Sequence, residues 1–180
     1  SKVMYMHNMF YGARAFNNGG QPLTWGTKTA NVTKMWGMFS GATSFNQDVS
    51  SWDVRKVTDM NNMFYYVTLS TTNYDALLNG WGTQILKTGV SFSGGNSKYC
   101  YGQTSRASII STYSWTITDG GYSCSGMPPK LSTESALGIT DNMATLNGTI
   151  TNIGGANPTI RGFDYGLDTS YGTTTIENGS

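Results

Sequence analysis

Apolar positions in the first third of the chain recur in register. The segments VMYMHNMFYGARAFN from Val3, VTKMWGMFSGATSFN from Val32 and VTDMNNMFYYVT from Val57 align without gaps. Val3, Met6, Met9, Phe10, Ala13, Phe16 and Asn17 return as Val32, Met35, Met38, Phe39, Ala42, Phe45 and Asn46. The third copy keeps Val57, Met60, Met63 and Phe64, puts Val67 where Ala stood and loses the Phe-Asn pair. Apolar spacings of three and four predict one or two helical turns laid on a common core. The following SFNQDVSSWD, with Phe45, Val49 and Trp52 among polar residues, reads as a short strand and turn. Each copy is then a strand plus a short helix. Equivalent Met and Phe side chains would stack as ladders, each contributing about 1.5 to 3 kcal/mol when buried.

After the third copy, Thr72 or Asn73 is placed to cap a helix carrying Ala76, Leu77, Leu78 and Trp81, with Gly80 and Gly82 weakening its end. A second helix is predicted from Thr104 to Tyr113, on the apolar positions Ala107, Ile109, Ile110 and Tyr113. Trp115 to Thr118 reads as a strand and Asp119-Gly120-Gly121 as a turn. Met127-Pro128-Pro129 reads as a linker, and NMATLNGTITNIGG and TIRGFDYGLDTSYGTTT beyond it have strand composition.

Gly, Thr, Ser and Asn fill 82 of 180 positions, which favours strands and turns over long helices. With 13% aromatic residues and a formal charge of +1, the chain is neither a disordered polyelectrolyte nor a nucleic-acid binder with a basic face. No apolar run approaches the roughly 20 residues of a membrane span, so no membrane insertion is expected within this chain. The opening SKVMYM reads as the interior of something longer.

Candidate chemistry is sparse. His7 is the sole histidine, so neither a Ser-His-Asp triad nor a multi-His zinc site can be assembled. The repeated Met-x-x-Met beside Phe reads as core packing rather than a soft-metal site. Acidic residues are scattered, and no Asp-rich calcium loop is present. No catalytic residue, metal or cofactor is expected. Asn17 and Asn46 are read as satisfying backbone groups at turns, and Trp25 and Trp52 as closing the core in preference to stacking on sugar rings.

The motif VTxMxxMFxGAxxFN followed by Trp52 resembles the BspA-like bacterial surface-protein repeats also found in mycoplasmal lipoproteins; the resemblance spans Val3 to about Thr68. It implies a leucine-rich-repeat-like solenoid on an exported protein, with adhesion the usual proposed role. In an exported protein Cys100 and Cys124, the only cysteines, are read as a disulfide. The stretch with ATLNGTI and RGFDYG resembles the first half of an immunoglobulin-like or fibronectin type III-like sandwich. The expected fold is therefore an α/β solenoid with short strands and short helices, plus a capping region and a partial all-β immunoglobulin-like sandwich. Its plan is a solenoid over 1–70, a disulfide-bearing cap over 71–126, a linker over 127–130 and an incomplete module over 131–180. The expected role is non-enzymatic adhesion at the cell surface, outside the cell, with a host or neighbouring-cell protein or glycan as partner. The alternative is an extracellular filament or sheath in which copies exchange strands. A third reading is an accessory binding module of a secreted hydrolase.

Overall fold

A computed structural model describes residues 2–140, 143–155, 160–165 and 173–178. The chain divides into two compact units, Ser1–Ser123 and Cys124–Ser180.

In the first unit the three copies lie one against the next, in the register the sequence sets. Single parallel bridges join Tyr5 to Lys34 and Lys34 to Asp59. Four N–H groups of the first copy, on Met6, Asn8, Phe10 and Gly12, donate to the carbonyls of Lys34, Trp36, Met38 and Ser40 at 2.8–3.1 Å. Met35, Gly37, Phe39 and Gly41 repeat the pattern toward Asp59, Asn61, Met63 and Tyr65. Apolar columns follow. Phe10, Phe39 and Phe64 stack at 5.2 and 5.3 Å, Phe16 and Phe45 at 5.9 Å, and Trp25 on Trp52 at 5.0 Å. The indole N–H groups of Trp52, Trp81 and Trp115 donate to the carbonyls of Leu23, Val49 and Lys87, so these rings are buried with no polar atom left over.

The expected leucine-rich-repeat-like solenoid does not form. Among the described residues there are two α-helices, both after the copies, and three sheets of two strands each, none closed. This is a small mixed fold. Within the copies the backbone runs through tight turns, with two 3₁₀ segments, Asn18–Gly20 and Gly26–Thr29, after the first motif. The reason is local. The sixth residue of each copy is left-handed (Asn8, Gly37 and Asn62, φ 55–60°), and so is the tenth (Gly12, Gly41 and Tyr66, φ 61–74°). An α-helix needs φ near −63° at every residue, so two left-handed positions four apart prevent even one regular turn. The predicted strand around Phe45–Trp52 is also absent: that stretch pairs with no neighbouring strand.

Helix α1, Thr71–Gly82, starts at Ser70, whose hydroxyl accepts the Asn73 N–H. It buries Tyr74, Leu77, Leu78 and Trp81 in the core it shares with the copies. Strand β1, Ser91–Ser93, takes over the ladder. Its Ser91 and Ser93 carbonyls accept the Met60 and Phe64 N–H groups, and it pairs in parallel with β2, Thr116–Thr118. Helix α2, Gln103–Tyr113, lies between the two strands in sequence and ends at Ser114 in the left-handed conformation.

In the second unit, β3 (Lys130–Leu137) pairs antiparallel with β4 (Thr145–Asn152), and β5 (Ile160–Tyr165) with β6 (Thr173–Asn178). The expected partial sandwich is corrected to two separate two-stranded sheets. Leu131 and Leu137 of β3 are exposed, so alternation along that strand does not enclose a core.

Candidate functional site

The copies sort their residues into inward and outward columns. Inward, Val32, Met35, Met38, Phe39, Phe45, Trp52, Val57, Met60, Met63 and Phe64 are fully buried and Met6 nearly so. The first copy is stacked on one side only. Phe10 and Phe16 are half-buried, and Val3 and Met9 remain 42% and 47% exposed where their counterparts are enclosed.

Polar ladders support the columns. Asn17 Oδ1 accepts the Asn46 N–H and the Gln47 amide, and Asn46 Oδ1 accepts the Ser70 N–H and the Asn73 amide. These recurrent asparagines therefore join successive turns. Thr33 and Thr58 each return a hydroxyl and an N–H to the carbonyl of the preceding rung. Lys34 and Asp59, on adjacent rungs, lie 3.9 Å apart.

Outward, the columns carry aromatic rings. His7 stacks on Trp36 at 4.8 Å, with the Tyr5 ring at its edge. Farther along the motif, Tyr11, Tyr65 and Tyr66 are 67%, 45% and 62% exposed. The Tyr65 and Tyr66 rings meet at 4.0 Å and 44°. Tyr65 Oη donates to Tyr66 Oη at 3.0 Å, a bond that holds the Tyr65 phenol above its ordinary range. Tyr66 occupies the rung where the first two copies have Gly12 and Gly41, at the same left-handed φ. For a residue with a side chain that conformation costs about 1–2 kcal/mol. Its ring, 62% exposed and covered only on the Tyr65 side, offsets little of this by burial.

Two charged constellations lie among the residues that follow the copies. The buried Asp75 carboxylate accepts the N–H groups of Cys100, Tyr101 and Gly102 at 2.8–2.9 Å, supplying from α1 the acceptor that the start of α2 lacks. Asp119 accepts from Arg106 Nε at 2.7 Å and from Tyr74 Oη at 2.8 Å, while Arg106 also lies over the Tyr99 ring. Burial, then the Asp119 charge, push the Tyr74 phenol well above its ordinary range. All of these side chains are occupied in joining α1, α2 and β2. Both Cys100 and Cys124 are disulfide-bonded, and as the only two cysteines they bond each other.

No cluster of three or more His, Cys, Asp or Glu able to hold a metal occurs among the described residues, and no described helix is long and apolar enough to cross a membrane. Sequence reasoning singled out none of Tyr65, Tyr66, Asp75 and Arg106, and read Asp119 only as part of a turn. The available signal for the first pair was Tyr66 itself, which breaks a glycine column.

Residues 1–97 match a family described as Mycoplasma protein of unknown function, DUF285. No curated protein and no solved structure matches the chain.

Proposed function

The chain belongs to the Mycoplasma protein family of unknown function DUF285, and we propose that it acts as a non-enzymatic recognition module at the cell surface, its outward aromatic columns making the adhesive contact. The observation that carries this reading is the placement of Tyr5, Trp36, Tyr11, Tyr65 and Tyr66 in solvent, on rungs whose backbone is tied on both sides or backed by the next copy. Rings held this way lose little freedom on binding and offer both an apolar face and a hydroxyl. Immobilised protein should retain intact host cells, and Trp36→Ala combined with Tyr66→Gly should release them. Absence of retention by the parent protein sinks the reading.

A second reading, an extracellular filament built by strand exchange, is favoured by the second unit, whose described sheets have two strands and exposed Leu131, Leu137 and Ile153. Electron microscopy of concentrated protein would then display regular polymers. Particles that stay monomeric at all concentrations argue against it.

A further inference from the structure

In an extended chain, neighbouring side chains point to opposite faces, so two tyrosines in succession do not meet. At Tyr66 the backbone is left-handed, with φ 61° where the first two copies have Gly12 and Gly41, and the alternation is broken. The Tyr65 and Tyr66 rings come together at 4.0 Å between centroids, tilted by 44°. Their hydroxyl ends are adjacent as well, since Tyr65 Oη donates to Tyr66 Oη at 3.0 Å. In a phenol the carbon ortho to the hydroxyl is one bond from the carbon that bears it, so the ortho edges of the two rings share this close approach.

Both rings are open to solvent. A phenol that gives up one electron and its proton becomes a radical whose unpaired spin is shared by the oxygen and the ortho and para ring carbons. In tyrosine the para carbon carries Cβ, so two such radicals join through ortho carbons. Partners already held together make that encounter an intramolecular step. The Tyr99–Tyr122 pair is arranged differently: its rings meet edge-on at 5.9 Å, and Arg106 lies over the Tyr99 ring. The equivalent positions of the first two copies, Tyr11-Gly12 and Ser40-Gly41, supply one ring and none.

We infer that Tyr65 and Tyr66 are a site of oxidative cross-linking, at which one-electron oxidation joins the two side chains as dityrosine. The oxidant is hydrogen peroxide acting through a haem peroxidase. Each phenol yields one electron and one proton, and the two electrons and two protons reduce the peroxide to two waters. The radicals form an ortho carbon–carbon bond, and the hydrogen on each joined carbon then passes to its own oxygen, restoring both phenols. The product has lost two hydrogens and holds the two outward rings together. This site is independent of the recognition reading above.

Treatment of the purified protein with a haem peroxidase and hydrogen peroxide, followed by proteolysis and mass spectrometry, tests it. Dityrosine fluorescence should appear in the monomer, and the peptide carrying residues 65–66 should be lighter by two hydrogens. Peroxide oxidation of the exposed Met4 and Met9 adds oxygen and raises the mass, so the two reactions are told apart. Tyr65→Phe and Tyr66→Phe should each lose both signals while melting as the parent does, and Tyr122→Phe should keep them. Dityrosine that is missing from the parent, confined to cross-linked dimers, or undiminished in Tyr65→Phe or Tyr66→Phe overturns the assignment.

Discussion

Gly80 of α1 lies so close to Ser50 of the second copy that a Cβ on it would sit 2.5 Å from the Ser50 carbonyl oxygen. A glycine that weakens a helix when read from the sequence is thus the point where the helix presses onto the repeats. By propensity alone Gly80→Ala would gain about 1 kcal/mol. Here the clash is with backbone, which cannot swing aside, and a net loss of about 2 kcal/mol is expected. Urea denaturation decides between the two signs.

Equivalent residues of different copies should respond unequally. Phe39 is stacked on both sides by Phe10 and Phe64, and Phe39→Ala should cost about 3–5 kcal/mol. Met63→Ala should cost about 2–5 kcal/mol. Met9→Ala, at the half-open first copy, should cost under about 1 kcal/mol. Matched denaturation curves for Met9 and Met63 variants give this comparison directly.

Asp75 offers a sharper polar test. Its Oδ1 accepts from Cys100 and Gly102 and its Oδ2 from Tyr101. Asp75→Asn leaves one oxygen and sets an amide against a donor, while Asp75→Ala leaves three N–H groups without their acceptor. About 3 kcal/mol should be lost in the Ala variant and less in Asn, seen as ordered melting temperatures.

Stability should fall at both ends of the pH scale for separate reasons. The hydrogen bond from Arg55 holds the Asp53 carboxyl below its ordinary range. Its contribution is present above the unfolded carboxylate pKa and lost as pH falls through the lowered folded value. Tyr74 is shifted the opposite way, so its contribution is full below the ordinary phenol range near 10 and lost as pH rises through the raised folded value. Asp53→Asn should flatten the acid limb and Tyr74→Phe the alkaline limb of urea midpoints plotted against pH.

Reducing the Cys100–Cys124 bond opens a loop of roughly 25 residues and should cost about 3.5 kcal/mol by chain-entropy arithmetic. Thermal melts with and without reductant measure it. Alkylation of native protein without reductant should leave its mass unchanged.

Much of this molecule was legible in its residues. The register of the copies, the Met and Phe columns, α1 with its cap at Ser70 two or three residues before the predicted Thr72 or Asn73, α2 from Gln103 against a predicted Thr104 start, and strand β2 all follow from apolar spacing. The local conformation of the copies did not, because spacings of three and four arise equally from one helical turn and from paired tight turns. The deciding residues were Asn8, Gly37 and Asn62 with Gly12 and Gly41, types that tolerate left-handed backbone, and Tyr66 hid the second column. Exposed tyrosines were illegible for another reason: in a sequence where Phe and Trp rings build the core, nothing but the backbone says which rings face outward.

The direction of the hydrogen bonds between copies has an electrical consequence. Each of the first two copies donates four N–H groups toward the next, and β1 accepts two more from Met60 and Phe64 of the third. Most of the bonds between copies run this way, so the peptide dipoles of successive rungs add along the stack instead of cancelling.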